Sequence, residues 1–339
     1  MIEETLPGIY RIEVPLPDNP LQTVNSYLLK GKEKDLLIDT GMNKDECRIV
    51  LLSALQDLGA NMENIDIFIT HLHHDHFGLA ITLASNGSII YLNAPDAIFL
   101  GDANVWEKGF MYGKMNGFPE EELQKALEKR DDFLKNIPIE DIKKAIEKCA
   151  GDVPLREERF RFLSDEDTLN VGEYSFKCLM TPGHSRGHLC LYETRNKFLF
   201  SGDHILEDIT PAIFLWPGEK QNPLKDYLNS LDRVFDLEVT TVLPGHRNAF
   251  QDYRERISQI KAHHYRRKEE IASLLDIKGK NVYQIASKVS WNIPLPWNQF
   301  TPELKWMALA EILAHLKYME EEGQIKSELQ TGNVIHYYL

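Results

Sequence analysis

Short apolar runs rich in branched residues, each closed by Gly, Pro, Asn or Asp, set the rhythm of the N-terminal part of the chain. Ile9 to Val14, Val24 to Lys30, Asp35 to Asp39, Ile65 to Thr70 and Ser88 to Leu92 predict strands. Lys44 to Leu58 predicts a helix with Val50, Leu51, Leu55 and Leu58 on one side, and Phe77, Leu79, Ala80 and Leu83 predict another that opens at His76. From 94 to about 157 the rhythm stops. Pro119-Glu120-Glu121-Glu122-Leu123 and Pro138-Ile139-Glu140-Asp141-Ile142 each place proline near the first helical position and acids in the first turn. This stretch is expected to be a helical insertion. Its Phe99, Trp106, Phe110, Met111, Tyr112, Met115 and Phe118 either wall a substrate pocket or fasten the insertion to the body. Strands resume at Tyr174 to Met180, Leu189 to Glu193, Lys197 to Ser201 and Thr240 to Leu243.

Beyond residue 256 the pattern becomes helical. Gln259 to Leu275 predicts a helix, Asn281-Val282-Tyr283-Gln284-Ile285-Ala286 a capped short one, and Trp291 to Phe300 a connector. Thr301-Pro302-Glu303 opens a long helix through Glu322, with Leu304, Ala308, Ile312, Leu316 and Met319 at helical spacing, and Gly323 stops it. Ile325 to Leu339 predicts a hairpin around Thr331-Gly332-Asn333. Two domains are expected, residues 1–255 and 256–339.

The candidate chemistry sits where apolar runs end. His71-Leu72-His73-His74-Asp75-His76 follows the strand at Ile65 to Thr70. Side chains at i and i+2 of an extended backbone point the same way, so His71 and His73 can grip one ion, while Asp75 and His76 lie past the turn and point toward a second. His74, between them, is expected to face solvent or a neighbouring strand. Asp39-Thr40-Gly41, Pro182-Gly183-His184, Gly202-Asp203-His204 and Pro244-Gly245-His246 close further strand-like runs.

These five strand-end blocks, in this order, resemble the metallo-β-lactamase superfamily over residues 1 to about 255. The resemblance implies an α+β fold, a four-layer αββα sandwich, with ligands on loops at one sheet edge. It implies that His71, His73 and His184 hold one divalent ion, that Asp75, His76 and His246 hold a second, and that Asp203 bridges them. Zn(II) suits that donor set, with Fe or Mn as alternatives. Asp39 corresponds to a residue that supports the metal loop. His188 is expected either to support the site or to be a core histidine, and His204 either to reach the substrate or to be a structural histidine; His263, His264, His315 and His336 are expected on a helix surface or in the core. The tail's order of elements resembles the winged helix that follows this catalytic domain in lactamase-beta-2-like proteins, whose final helix Ala314-His315-Leu316-Lys317-Tyr318 resembles.

Composition narrows the function. A hydrophobic share of 43% and a charged share of 27% are those of a globular protein. The start of the chain lacks a basic segment followed by an apolar one, and no run is long enough to span a membrane, so a cytoplasmic protein without a membrane partner is expected. Cys47, Cys149, Cys178 and Cys190 show no metal or redox spacing. Asp203 stands where secreted lactamases often carry cysteine, and His73 stands where redox di-iron relatives usually carry an acid. The net charge of −14 disfavours indiscriminate nucleic-acid binding. Arg254, Arg256, Lys261, Arg266, Arg267 and Lys268 read as a solvated helix face with Glu255, Glu269 and Glu270 as partners. The long tail helix carries Glu303, Glu311, Glu320, Glu321 and Glu322 and no arginine to read guanine, so duplex DNA is not an expected partner. The expected function is hydrolysis of a small-molecule acyl ester or thioester, as in glyoxalase II and acyl-thioesterase relatives, with Asp75 orienting the attacking water and taking its proton. A metal-dependent endoribonuclease is the alternative, a DNA-binding regulator the least favoured reading, and a homodimer a further partnership. Arg186, in place of a more usual proline, is expected to meet a substrate anion or a nearby acid.

Overall fold

The computed structural model describes residues 1–17, 19–101, 105–128 and 160–339. The predicted helix start at Pro138 and Cys149 lie outside the described residues, as do the side chains of Phe99 and Trp106.

Among the described residues seven strands form the first sheet, in spatial order β1 (Ile2–Leu6), β2 (Ile9–Pro15), β3 (Thr23–Leu29), β4 (Asp35–Ile38), β5 (Ile65–Phe68), β6 (Ile90–Leu92) and β7 (Phe160–Phe162). Pairing is antiparallel from β1 to β4 and parallel from β4 to β7. Five more form the second sheet: β8 (Thr168–Val171), β9 (Tyr174–Met180), β10 (Leu189–Glu193), β11 (Phe198–Gly202) and β12 (Thr241–Pro244), in the order β12-β11-β10-β9-β8.

The period of two along each strand decides what fills the space between the sheets. Tyr27 and Leu29 of β3, Leu36 and Ile38 of β4 and Phe68 of β5 meet Phe176 and Cys178 of β9, Leu189 and Leu191 of β10, Phe198 and Phe200 of β11 and Leu243 of β12. The alternate residues Leu28, Leu37, Ile65 and Ile67 face the other way, where Cys47, Leu51, Ala54 and Leu55 of the helix Asp45–Asp57 cover them. That helix therefore buries a face rotated from the expected one, with Val50 only half-buried. On the outside of the second sheet, Ser230 Oγ donates to Pro182 O at 2.9 Å and Arg233 to Met180 O at 3.2 Å, from the end of the helix Pro223–Phe235. Helix, sheet, sheet and helix make the sandwich.

The chain divides into two compact units. One comprises residues 1–101, 160–211 and 230–257 and contains both sheets; the other comprises 105–128, 212–229 and 258–339. In the second unit, helices Val105–Met115 and Glu120–Glu128 of the insertion accompany Val282–Ala286, Pro302–Glu321 and the hairpin of β13 (Lys326–Gln330) and β14 (Val334–Tyr338). Asn281 caps its helix with a reciprocal capping box to Gln284, and Thr301 caps the long helix through the Leu304 amide. Phe118 packs against Tyr283 and Trp306, with ring centroids 5.6 and 6.0 Å away, so this aromatic fastens the insertion to the tail. Lys305 Nζ sits 2.8 Å from both Glu122 oxygens.

The basic run forms the expected solvated face only in part: Arg254 and Arg266 are exposed and Arg256, Lys261 and Lys268 half-buried. Within the helix Tyr253–Leu274, Arg267 is buried; it pairs with Glu270 at 2.9 Å, donates to Ser290 O and lies over the Trp291 ring. Arg256 donates to Leu206 O, and Arg254 donates to Phe235 O and Leu237 O. Guanidiniums that bond backbone carbonyls and stack on aromatics also serve packing.

Candidate metal centre

Each candidate residue follows a strand by a few positions. Asp39 follows β4, His71 follows β5, His184 follows β9, Asp203 directly follows β11 and His246 follows β12. Helix begins at His74, not at His76, and is broken into His74–Phe77 and Ala80–Leu83. His73 is therefore still extended, while Asp75 and His76 are helical. This change of backbone separates the two pairs of side chains.

Three overlapping groups result: His71 with His73 and His184; His71 with His76 and Asp203; and Asp75 with His76 and His246. Within each, one ligand atom per residue lies within 4.8 Å of the others. All seven residues expected to hold metal are thus brought together. His74, His188 and His204 belong to none of the groups. His73 Nδ1 lies 2.9 Å from His71 Nε2 and 3.1 Å from His184 Nε2. Asp203 is central: Oδ1 is 3.5 Å from His76 Nε2, and Oδ2 is 3.5 Å from both His184 Nε2 and His246 Nε2.

The ring tautomers follow from partners outside the cluster. His76 Nδ1 donates to Asp39 Oδ2 at 2.7 Å. Thr70 also donates its hydroxyl to Asp39 Oδ2, at 2.8 Å, which leaves its oxygen to accept His71 Nδ1–H at 3.0 Å. His246 Nδ1 donates to Thr23 O at 2.7 Å. Each of these three rings therefore turns an unprotonated Nε2 into the cluster, as a metal ligand must. His76 Nε2, His246 Nε2 and Asp203 Oδ1 are buried without a hydrogen bond among the described residues. Orphaned acceptors of this kind are costly unless a cation satisfies them, so the donor set fits a divalent ion.

Electrostatics point the same way. Burial, reinforced by neighbouring imidazoles, holds His71 well below the ordinary imidazole range and His73 down to about 3. Burial also disfavours charge on His76 and His246, but Asp203, with Asp39 and Asp75, outweighs it and raises both. Burial would raise Asp203 and Asp75, yet the surrounding imidazoles keep both carboxyls below their usual range. His71 and His73 stay neutral beside ionised carboxylates, and the raised His76 and His246 show how strongly those carboxylates favour positive charge in the pocket.

Several supports of the site carry no motif in the sequence. The Thr23 carbonyl is one. Asn25 Nδ2 donates to Pro244 O and Arg247 O, and Tyr27 donates to Pro244 O, bracing the loop of His246. His188 Nε2 accepts the Asp203 amide at 3.1 Å, so its Nδ1–H donates to Thr181 Oγ1 at 2.8 Å; this histidine supports the site from behind. Gly245 stands in one of the strand-end blocks because of close approach: a Cβ there would lie 2.6 Å from Asp203 Oδ1 and 2.8 Å from His76 Cε1.

A paired-sheet sandwich with a His/Asp cluster on its strand-end loops defines a metallohydrolase of one particular fold. The metallo-beta-lactamase superfamily profile matches residues 20–246, and the chain belongs to that superfamily. It is similar to the beta-lactamase-like protein 2 homolog of Caenorhabditis elegans, 29% identical over 279 residues, or 81% of this chain and 73% of that protein. Acyl-coenzyme A thioesterase MBLAC2 of Gallus gallus is 27% identical over 234 residues, 67% of this chain and 73% of that one. Among solved structures, a metallo-beta-lactamase family protein from Thermus thermophilus matches with a TM-score of 0.76 at 29% identity over 99% of each chain. The protein is an enzyme, a hydrolase of this fold whose His/Asp clusters suit divalent metal.

Proposed function

We propose that the protein is a dinuclear metal-dependent hydrolase of acyl thioesters or esters, with acyl-coenzyme A the first class to test. The observation that carries the dinuclear reading is Asp203, whose two oxygens sit between the three-histidine group and the His76/His246 pair. His71, His73 and His184 would hold one ion, Asp75, His76 and His246 the other, and Asp203 both. Zinc suits imidazole and carboxylate donors without thiolate. When bound, such ions supply Lewis acidity: they polarise a carbonyl and bring the pKa of water toward neutrality.

The chain's own groups do the rest. Asp75 is buried and ionised, so it accepts a hydrogen bond from the attacking water and orients it toward the carbonyl carbon. Its depressed pKa makes it a better orienting group than a proton store. Oxygen–carbon bond formation and carbon–sulfur cleavage then give a carboxylic acid and a thiol. A thiolate leaves readily, so no strong general acid is required of the site. The thioester reading is supported by the similarity to a protein named as an acyl-coenzyme A thioesterase.

Purified enzyme should hydrolyse acyl-coenzyme A esters with a higher kcat/KM than glutathione thioesters or short RNAs. A higher kcat/KM on RNA would overturn the thioesterase reading in favour of a ribonuclease. The tail is read as a packing or dimerising module: of the two lysines on its long helix, Lys305 is already engaged by Glu122.

A further inference from the structure

We propose that Asp96 is a positioning residue, one buried carboxylate that locks the loop of His71 and His73 against the loop of His184. The inference rests on the metal reading above. Asp96 lies in the first turn of the helix Ala94–Gly101 and is 5% exposed. Its Oδ2 accepts the Leu72 amide at 3.2 Å and the Ser185 hydroxyl at 2.8 Å, and its Oδ1 accepts the Gly187 amide at 2.5 Å. Leu72 is the residue between His71 and His73; Ser185 and Gly187 follow His184. A single side chain, distant in sequence from the second loop, thus sets the mutual position of the three imidazoles of one group. His76 and His246 are held otherwise, by Asp39 and by the Thr23 carbonyl.

Two physical points favour a dedicated role. A buried carboxylate is costly unless donors surround it, and here three donors come from the two ligand loops. The close approach also demands glycine at 187. A Cβ there would lie 2.8 Å from Asn93 Oδ1, 2.9 Å from Asp96 N and 3.1 Å from Asp96 Cγ. The loop after His184 is therefore shaped to bring its backbone onto this carboxylate.

The test is Asp96→Asn, which turns an amide NH2 toward at least one of the three donors. Zinc affinity is measured by competition with a chromophoric chelator, alongside the visible spectrum of the cobalt-substituted protein and the unfolding temperature without metal. Supporting groups of this kind typically cost about 10–100-fold in metal affinity when removed. The expected result is a loss of that size for one metal equivalent, an altered cobalt spectrum, and little change in the second equivalent. A merely structural role would lower the metal-free unfolding temperature and leave the affinity and spectrum of the folded protein unchanged; that result overturns the proposal. If wild type itself binds no stoichiometric metal, the metal reading has failed, a distinguishable outcome. If Asp96→Asn does not fold, Ser185→Ala decides: it keeps the carboxylate and both amide bonds and should weaken the same equivalent several-fold, and unchanged affinity there overturns the proposal.

Discussion

Asp39 adopts a left-handed backbone, φ 56°, which lets its carboxylate reach Thr70 and His76 together. Asparagine tolerates that conformation, so Asp39→Asn should keep the loop. Its amide NH2, if turned to His76, would force the ring to accept at Nδ1 and to carry its proton on Nε2, where the metal should bind. Metal affinity should fall about 10–100-fold, measured by chelator competition; an unchanged affinity would refute the tautomer argument. His71→Ala and Asp203→Ala should each lower kcat/KM by several orders of magnitude while circular dichroism stays that of the folded protein. The ligands themselves are legible in sequence because a metal site needs particular residue types at particular strand ends. What orients them mostly is not, since the Thr23 carbonyl and the Asp203 amide belong to every residue's backbone and leave no mark in sequence.

Between the helices Tyr253–Leu274 and Pro302–Glu321 two buried histidines meet. His315 Nδ1 donates to Glu311 O at 2.9 Å, so its Nε2 accepts from His264 Nδ1 at 3.3 Å. Burial holds His315 down to about 3 and His264 well below the ordinary 6.5, with adjoining imidazoles and Arg267 adding to it. In the unfolded chain both would protonate near pH 6.5. The unfolded state thus binds more protons below that pH, and this unit's stability should decline as pH drops from about 6.5 toward 3. Urea midpoints measured across that range check it: His264→Leu/His315→Leu should flatten the decline, and an equal decline in that variant would refute the assignment. At this scale the sequence is readable where caps and periodicity agree, as at Asn281 and Thr301. The helix Pro223–Phe235 is absent from the sequence-based expectations although Leu224, Tyr227, Leu228, Leu231 and Val234 recur at helical spacing. β1, β7 and β8 are absent from them for a better reason: β1 scarcely alternates, β7 and β8 alternate over only three and four residues, and pairing with neighbouring strands makes them strands. The basic run misleads at Arg267, because charge alone does not reveal whether a guanidinium meets water or a carbonyl.

For the whole molecule, a net charge of −14 and a long tail helix with an engaged Lys305 predict no salt-sensitive binding of duplex DNA by the full chain. Fluorescence anisotropy at low and moderate salt tests this, and tight binding that weakens with salt would reverse it. Among the described residues no helix is long and apolar enough to cross a membrane. The sandwich is legible from its strand rhythm and five loop blocks together. The grouping of insertion helices with the tail is not, because Phe118, Tyr283, Trp306, Glu122 and Lys305 meet only through long-range packing. The most direct test of the central claim is metal content coupled to turnover. Protein stripped with a chelator should lose hydrolysis of acyl-coenzyme A, and zinc should restore it along a titration that saturates at two equivalents per chain. Full activity in the stripped protein, or no stoichiometric metal in protein supplied with zinc, iron or manganese, would contradict the account.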